Sequence, residues 1–430
     1  MVVQNPKYPK GTMSKIENLK SEIQNPKSLR VALFTYSTKP RGGVVHTLAL
    51  AEHLQALGHA VHIYALGKDE RSTFFRPTSA PFTLIPAAAP RDDEPLDERI
   101  QRYIQTYYEF LTRYQPGPFD LYHAQDCISA NALWRLREDR VIPWFVRTIH
   151  HLDDFVSPVL IDCQNHSIYR PDFRLVVSRI WQERLAQEFG MESTVIHNGV
   201  ELSRFQPASQ VVRAAARAKL GLAEQWVFLN IGGVEPRKNS LRLLRAFQTV
   251  RQALAAQGQA AVLLLAGGDT LLDYAPYRAE FFQALAESDL QVDRDIFLLG
   301  VAPDDLIPVL YQAADGLAFP SVKEGWGLVA LEAMAAGVPV LASDLPVFRE
   351  YLRSEENALL VDPLDEAAIA AGMLRLVQDE PLRRRLAAAG PATAKMFSWA
   401  ATAQAHADYY QAVLANVPEF QLEANAITKR

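Results

Sequence analysis

Two glutamates eight positions apart, Glu324 and Glu332, enclose a glycine pair in the segment Glu324-Gly-Trp-Gly-Leu-Val-Ala-Leu-Glu332. Carboxylates accept hydrogen bonds from hydroxyls, and glycines leave backbone N–H groups uncovered for an anion. The preceding run 315–321, Asp-Gly-Leu-Ala-Phe-Pro-Ser, reads as a short buried strand. Leu328, Leu331 and Met334 recur at helical spacing, which predicts a helix from about Gly327. Glu324 then stands on the loop at the carboxyl end of a strand, Glu332 stands inside the helix, and the glycine amides lie at its positive end. A carboxylate on each side of an anion pocket suits a diphosphate flanked by hydroxyl-rich groups, as in a nucleotide sugar. An isolated acidic pair of this kind is more often a solvated face. The functional reading is favoured by the following Ala-Ala-Gly337-Val-Pro-Val-Leu-Ala-Ser343-Asp344, a helix-ending glycine and a buried strand that returns to the same crevice.

Cations that could meet the diphosphate stand in Asn230-Ile-Gly232-Gly233-Val-Glu-Pro-Arg237-Lys238-Asn239. Arg237 and Lys238 precede a helix and can neutralise phosphate oxygens; their location after a strand weighs against plain surface charge. A second glycine loop, Lys39-Pro-Arg-Gly42-Gly43-Val44, allows close approach of an anion or a sugar ring. A sharp strand-to-helix turn explains Gly42 and Gly43 equally well, and the spacing of a dinucleotide fingerprint is absent. Thr148-Ile-His150-His151-Leu-Asp153-Asp154 raises a metal site. Consecutive side chains on an extended chain point apart, so a single His150 projecting into a cleft is the better reading, with no metal.

The elements that must position these groups alternate. In the first half, strands are expected at Arg30–Thr35, Ala60–Ala65, Phe82–Ile85, Leu121–Ala124, Trp144–Ile149, Arg174–Ser178 and Ser193–His197. A helix is expected at Val44–Leu57, after a loop reaching Gly43, and an aromatic-rich one at Asp97–Tyr114. The turn-rich stretch His197–Pro207 reads as the link between domains. The alternation restarts with strands at Trp226–Ile231, Ala261–Ala266, Ile296–Leu299, Gly316–Phe319 and Pro339–Ala342 and helices at Ser240–Ala256 and Pro381–Ala389. Two successive runs of this kind imply an α/β protein of two doubly wound, Rossmann-like domains facing across a cleft. The expected divisions are a polar extension at 1–29, a first domain at 30–198, a second at 199–398, a returning helix at 399–415, and a tail at 416–430.

With these motifs in hand, the chain resembles the family 4 retaining glycosyltransferases of the GT-B fold from Arg30 to Ala415. The resemblance is carried by the Gly-Gly loop, Thr148-Ile-His150, Asn198-Gly-Val, Glu235-Pro-Arg-Lys238 and the two glutamates. It implies transfer of a hexose from a UDP- or GDP-type sugar to an acceptor hydroxyl, with retention and without metal. The donor is a substrate, so no cofactor is implied. Glu324 would hold hydroxyls of the moving sugar, Glu332 the ribose, and Lys238 the diphosphate. Backbone amides of Gly325, Trp326, Gly327 and Leu328 would touch sugar and phosphate, and Val301 would lie against the base. His150 would approach the sugar, and Gly43 would shape the acceptor side. Family members often carry an arginine where this chain has Gly233, so one phosphate contact is missing unless Arg237 replaces it. Nothing here points to a particular acceptor.

Composition sets outer bounds. A chain of 430 residues exceeds one ordinary core. A formal net charge of −5 gives no electrostatic case for nucleic acid. Two cysteines carry neither a disulfide framework nor metal-ligand spacing, which points to a reducing, cytoplasmic compartment. No apolar run reaches the roughly 18 residues of a spanning helix, while contact with a membrane surface stays open. Three rivals remain: a glycogen or starch synthase type enzyme, whose Lys-x-Gly-Gly spacing Lys39-Pro-Arg-Gly42-Gly43 lacks; a glycoside hydrolase using the two glutamates; and an inactive sugar-nucleotide-binding protein.

Overall fold

The computed structural model describes residues 28–67, 72–89, 91, 94–115, 117–268 and 274–417. Almost all of the expected extension and tail therefore lie outside the described residues.

Seven parallel strands form the first sheet: β1 (Arg30–Thr35), β2 (Ala60–Gly67), β3 (Phe82–Pro86), β4 (Leu121–Ala124), β5 (Val146–Ile149), β6 (Phe173–Val176) and β7 (Thr194–Val195), in the order β3-β2-β1-β4-β5-β6-β7. Six form the second: β8 (Trp226–Ile231), β9 (Ala261–Ala266), β10 (Ile296–Gly300), β11 (Gly316–Phe319), β12 (Val340–Ser343) and β13 (Leu359–Val361), in the order β10-β9-β8-β11-β12-β13. Both sheets are buried on both faces, so their strands are continuous apolar runs. Along β1, Val31 and Leu33 pack into one cluster while Ala32 and Phe34 pack into the opposite one. On β8, Val227 and Leu229 face one side and Phe228 the other.

Each sheet reverses its strand order once, between β1 and β4 and between β8 and β11. Loops leaving the carboxyl ends of strands at such a reversal splay apart and open a crevice. The expected site residues fall on those loops: the Gly42–Gly43 turn after β1, His150 after β5, Arg237 and Lys238 after β8, and Glu324 after β11.

The chain ends by returning to its first half. The Val200 amide donates to the Phe397 carbonyl at 2.8 Å, and the helix Trp399–Asn416 places Ala403, Ala407, Tyr410 and Val413 in the core of the first sheet. Gly199 is required at this crossing, because a Cβ there would sit 2.3 Å from the Trp399 nitrogen. Among the described residues, no helix is long and apolar enough to cross a membrane.

Several expected bounds move. Gly42 and Gly43 form the first turn of the helix Gly42–Ala56 rather than a preceding loop. β5, β6 and β7 are shorter than expected because their flanking residues enter loops, β12 runs one residue later, and β13 had no expectation at all. The expected helix 381–389 extends through Pro391 as Glu380–Ala394, with Asp379 capping the Leu382 amide at 3.0 Å.

Candidate active site

One wall is ionic. Arg237 and Lys238 occupy a single 3₁₀ turn, Pro236–Lys238, after β8. Asn239 follows with φ of 59°, and its side-chain amide donates to the carbonyls of Pro320 and Pro363 at 2.9 and 2.6 Å. Those bonds fasten the turn to the loop that carries Glu324. Lys238 Nζ donates to Glu324 Oε1 at 2.7 Å, and Arg237 Nη1 reaches the same oxygen at 3.3 Å. Glu235 lies on the other side of Arg237, at 3.8 Å. Lys238 and Glu324 are 9% and 8% exposed, so their charges are poorly screened. Burial works to raise the Glu324 carboxyl, but Lys238 and Arg237 outweigh it and hold the group below its ordinary range. Burial draws the Lys238 ammonium down, with Glu324 opposing, and pushes the Glu235 carboxyl up. The Lys238 stem crosses Gly232, where a Cβ would come within 2.9 Å of it.

The facing wall is neutral. His150 Nε2 lies 3.2 Å from Gln125 Oε1, at the end of β4, and its ring meets His46 edge-on at 4.8 Å. Burial, His46 and Arg147 hold the His150 imidazole well below its ordinary range. Gly43 brings its backbone against the same ring, since a Cβ there would lie 3.5 Å from His150 Cδ2. Gly42 and Gly43 contribute amides of a first helical turn, which have no intrahelical acceptor.

The two walls touch at the glycine segment. A Cβ on Gly325 would lie 2.0 Å from the His150 carbonyl oxygen, so only glycine allows this approach. Trp181 Nε1, from the first half, donates to the Glu324 carbonyl at 3.2 Å. Asp154 pairs with Lys323 at 2.8 Å, and Glu350 accepts from the amides of Arg179 and Ile180, both at 3.1 Å. His151 pairs with Asp153 at 3.4 Å rather than joining His150. Among the described residues no cluster of three or more histidine, cysteine or carboxylate side chains is arranged to hold a metal.

Gly327 begins the helix Leu328–Ala335 with φ of 93°, and a Cβ there would strike the Phe348 ring at 2.5 Å. The Trp326 and Gly327 carbonyls accept from the Tyr351 hydroxyl at 2.9 and 3.3 Å, which turns them away from the cleft. Trp326 itself cannot offer its ring to a donor: it is 2% exposed and stacks on His197 at 4.3 Å. Its backbone alone remains for binding. Glu332 lines a cavity of about 320 Å³ with Arg204, Asp304, Glu201, Glu52 and Arg76. Burial raises the Glu332 carboxyl to about 7, against a hydrogen bond donated by Tyr311 at 2.8 Å and the charge of Arg204. Val301 is exposed, and one of its methyls covers Gly268. Gly233 has φ of 74°, and a Cβ would lie 2.8 Å from the Gly268 carbonyl oxygen. In this backbone a side chain at position 233 would be strained on both counts.

The profile for glycosyl transferases group 1 matches residues 212–393, and that for glycosyltransferase family 4 matches residues 40–204. The D-inositol 3-phosphate glycosyltransferase of Salinispora arenicola (strain CNS-205) is 31% identical over 324 residues, covering 70% of this chain and 71% of that protein. The chain belongs to the family 4 glycosyltransferases of the GT-B fold. The same enzyme from Rhodococcus jostii (strain RHA1) is 28% identical over 424 residues, 92% of this chain and 91% of the relative. The crystal structure of Anabaena Alr3699/HepE in complex with UDP and glucose shares the fold, with a TM-score of 0.72, 19% identity, and coverage of 89% and 99%. The enzyme is thus a glycosyltransferase that uses nucleotide sugars. The structure brings Glu324, Lys238 and Arg237 together in one cluster and sets Gly43 and Gly325 against His150. Glu332 lies in the cavity with Arg204, and Val301 lies over Gly268. Sequence reading gives Gln125, Trp181 and Arg204 no role, and reads Glu235 only as part of the motif that holds Arg237 and Lys238.

Proposed function

We propose that the enzyme moves a hexose from a nucleoside-diphosphate sugar to an acceptor hydroxyl with retention of anomeric configuration and without a metal ion. The observation that carries this reading is the cation pair of buried Lys238 and half-buried Arg237, gathered on Glu324, with the backbone of the neutral His150 against the adjoining Gly325. A diphosphate set beside them meets fixed positive charge and the amides at the start of the helix Leu328–Ala335. Glu324 is then free to accept from hydroxyls of the sugar, and Glu332 from those of the ribose. Val301 and the backbone near Gly300 suit the base, and Gly42, Gly43 and Gly233 permit close approach.

As the bond from the anomeric carbon to phosphate breaks, its electron pair moves to the phosphate oxygen. Lys238, Arg237 and the helix start stabilise that charge, the task a divalent ion performs elsewhere. The sugar becomes oxocarbenium-like, and a charged imidazole beside it would oppose this; His150, held neutral, offers a hydrogen bond without repulsion. The acceptor hydroxyl attacks the same face and gives its proton to the leaving phosphate. Contact between the walls at Gly325 keeps water from the reacting centre. The UDP and glucose bound by HepE support testing a uridine donor first. Calorimetry with UDP and GDP in EDTA, followed by NMR of the product's anomeric configuration, decides the reading. Binding only with added Mg²⁺, or an inverted product, overturns it.

A further inference from the structure

His46 stands directly behind His150. It belongs to the helix Gly42–Ala56, is fully buried, and its ring meets that of His150 edge-on at 4.8 Å. The ring is itself fixed from several sides. Its Nδ1 lies 2.8 Å from Asn198 Oδ1, in the link between the domains; that oxygen can only accept, so the His46 proton sits on Nδ1. Trp399 and His406 of the returning helix meet the ring edge-on at 5.5 and 5.6 Å. Thr402 ties that helix to the same link: its hydroxyl donates to the His197 carbonyl at 2.9 Å, and its own carbonyl accepts from His406 Nδ1 at 2.8 Å.

Packing alone does not explain a histidine here. His46 Nε2 is buried without a hydrogen-bond partner. An apolar ring would fill the same core without an unpaired nitrogen, which costs stability. What the imidazole adds is a directed bond to Asn198, and that bond sets the plane of a ring that packing leaves free to turn. His150 needs such a support. Its Nε2 donates to Gln125 Oε1 at 3.2 Å, a long bond, and on another side it meets the backbone of Gly43. We propose that His46 is a positioning residue for the transfer: anchored on Asn198 and backed by the returning helix, it holds the His150 ring in the orientation that meets the sugar. The inference rests on the placement of His150 at the sugar given above.

Two variants of the full chain divide the device. His46→Phe keeps a ring against His150 and removes the bond to Asn198, whereas His46→Asn keeps a donor near Asn198 and removes the ring. Each should lower kcat on the order of tenfold, as small displacements of a reacting geometry do, with calorimetric affinity for UDP at the wild-type value. The melting temperature of His46→Phe should hold or rise, because the unpaired nitrogen is gone. In a His150→Ala background neither substitution should lower kcat further, since the effect passes through His150. An equal loss in that background, or wild-type kcat in both variants, overturns the proposal. NMR of the imidazole nitrogens needs no transfer. His150 should carry its proton on Nε2 in the wild type and show mixed tautomers in both variants. Unchanged His150 signals overturn the positioning role whatever the reaction; altered signals in a chain that transfers no sugar uphold it and count against the reaction alone.

Discussion

The two walls of the cleft use opposite electrostatics. The wall from the second sheet is built of fixed ions, with Lys238 and Arg237 both on Glu324 and Arg237 also beside Glu235. The wall from the first sheet is built of histidines kept neutral. His150 meets His46 at 4.8 Å, His46 meets His406 at 5.6 Å, and His406 meets His123 at 6.0 Å. Burial is the first cause of the lowered imidazole in all four. Transfer from a nucleotide sugar develops negative charge on the leaving phosphate and positive charge on the sugar. Cations beside the phosphate and a neutral His150 imidazole beside the sugar match that separation, whereas a charged imidazole would oppose it.

Removing the ionic side should have the largest effect. Lys238→Ala should lower turnover by on the order of 10²–10³, as loss of one preorganised charge does at comparable sites. Donor affinity should fall less, because the contact strengthens as the leaving group gains charge. Steady-state transfer set beside direct binding of the free nucleoside diphosphate measures both. Wild-type values in both would place the diphosphate elsewhere.

Glu324→Gln sharpens the same contrast at about 10² in transfer rate. The carboxylate occupies Lys238 and Arg237 at 2.7 and 3.3 Å, so its neutralisation releases both for phosphate. Affinity for free nucleoside diphosphate should therefore hold or rise while transfer falls. A parallel loss of both would show that Glu324 serves the nucleotide and not the sugar.

The neutral wall should fail first in acid. A histidine neutral in the fold takes up a proton on unfolding at any pH below its ordinary 6.5, so stability is lost as pH falls beneath that value. The loss continues until the folded group titrates, at about 3 for His46 and about 4 for His406. Each contributes roughly 2 kcal/mol of destabilisation by pH 5. Glu235 and Glu332 have raised carboxyls, bind protons more tightly in the fold, and shift stability the other way over that range. Hydrogen exchange at pH 7 and pH 5 should show protection falling in β1, β4 and β5 before β8 and β11. Equal loss in both sheets would remove the distinction.

Much of this was legible in residue pattern. Strands buried on both faces print continuous apolar runs, and β1, β4, β8, β9 and β11 matched residue for residue. β13 did not, because three residues carry too short a period to stand out. Glu324 and His150 were legible because one sits beside glycine and the other at a strand end, and Lys238 because it precedes a helix. The partners that tune them were not. Gln125 and His46 reach His150 from other elements, Trp181 is 143 positions from Glu324, and such pairings arise only once both sheets are assembled. Sequence reading gives Trp326 a backbone contact, and the fold leaves that role to its backbone alone because its ring is stacked on His197.

The smallest effect tests where the nucleoside lies. Glu332, raised to about 7, is a carboxyl that changes charge within the working range. Ribose hydroxyls donate to a carboxylate, so binding should favour the ionised form. Affinity should then weaken as pH falls through 7, by at most about tenfold between pH 8 and pH 6 if only the ionised form binds. The phosphates titrate too, so the measure is the difference in slope between wild type and Glu332→Gln, by calorimetry with the same nucleoside diphosphate. The variant should lose affinity at pH 8 and show the shallower slope, because its amide cannot change charge. Tyr311 would lose its charged acceptor at 2.8 Å, and a melting temperature at each pH separates that structural cost from the binding term. Identical slopes would place the ribose away from Glu332 and leave the cavity beside Arg204 without a nucleoside to hold.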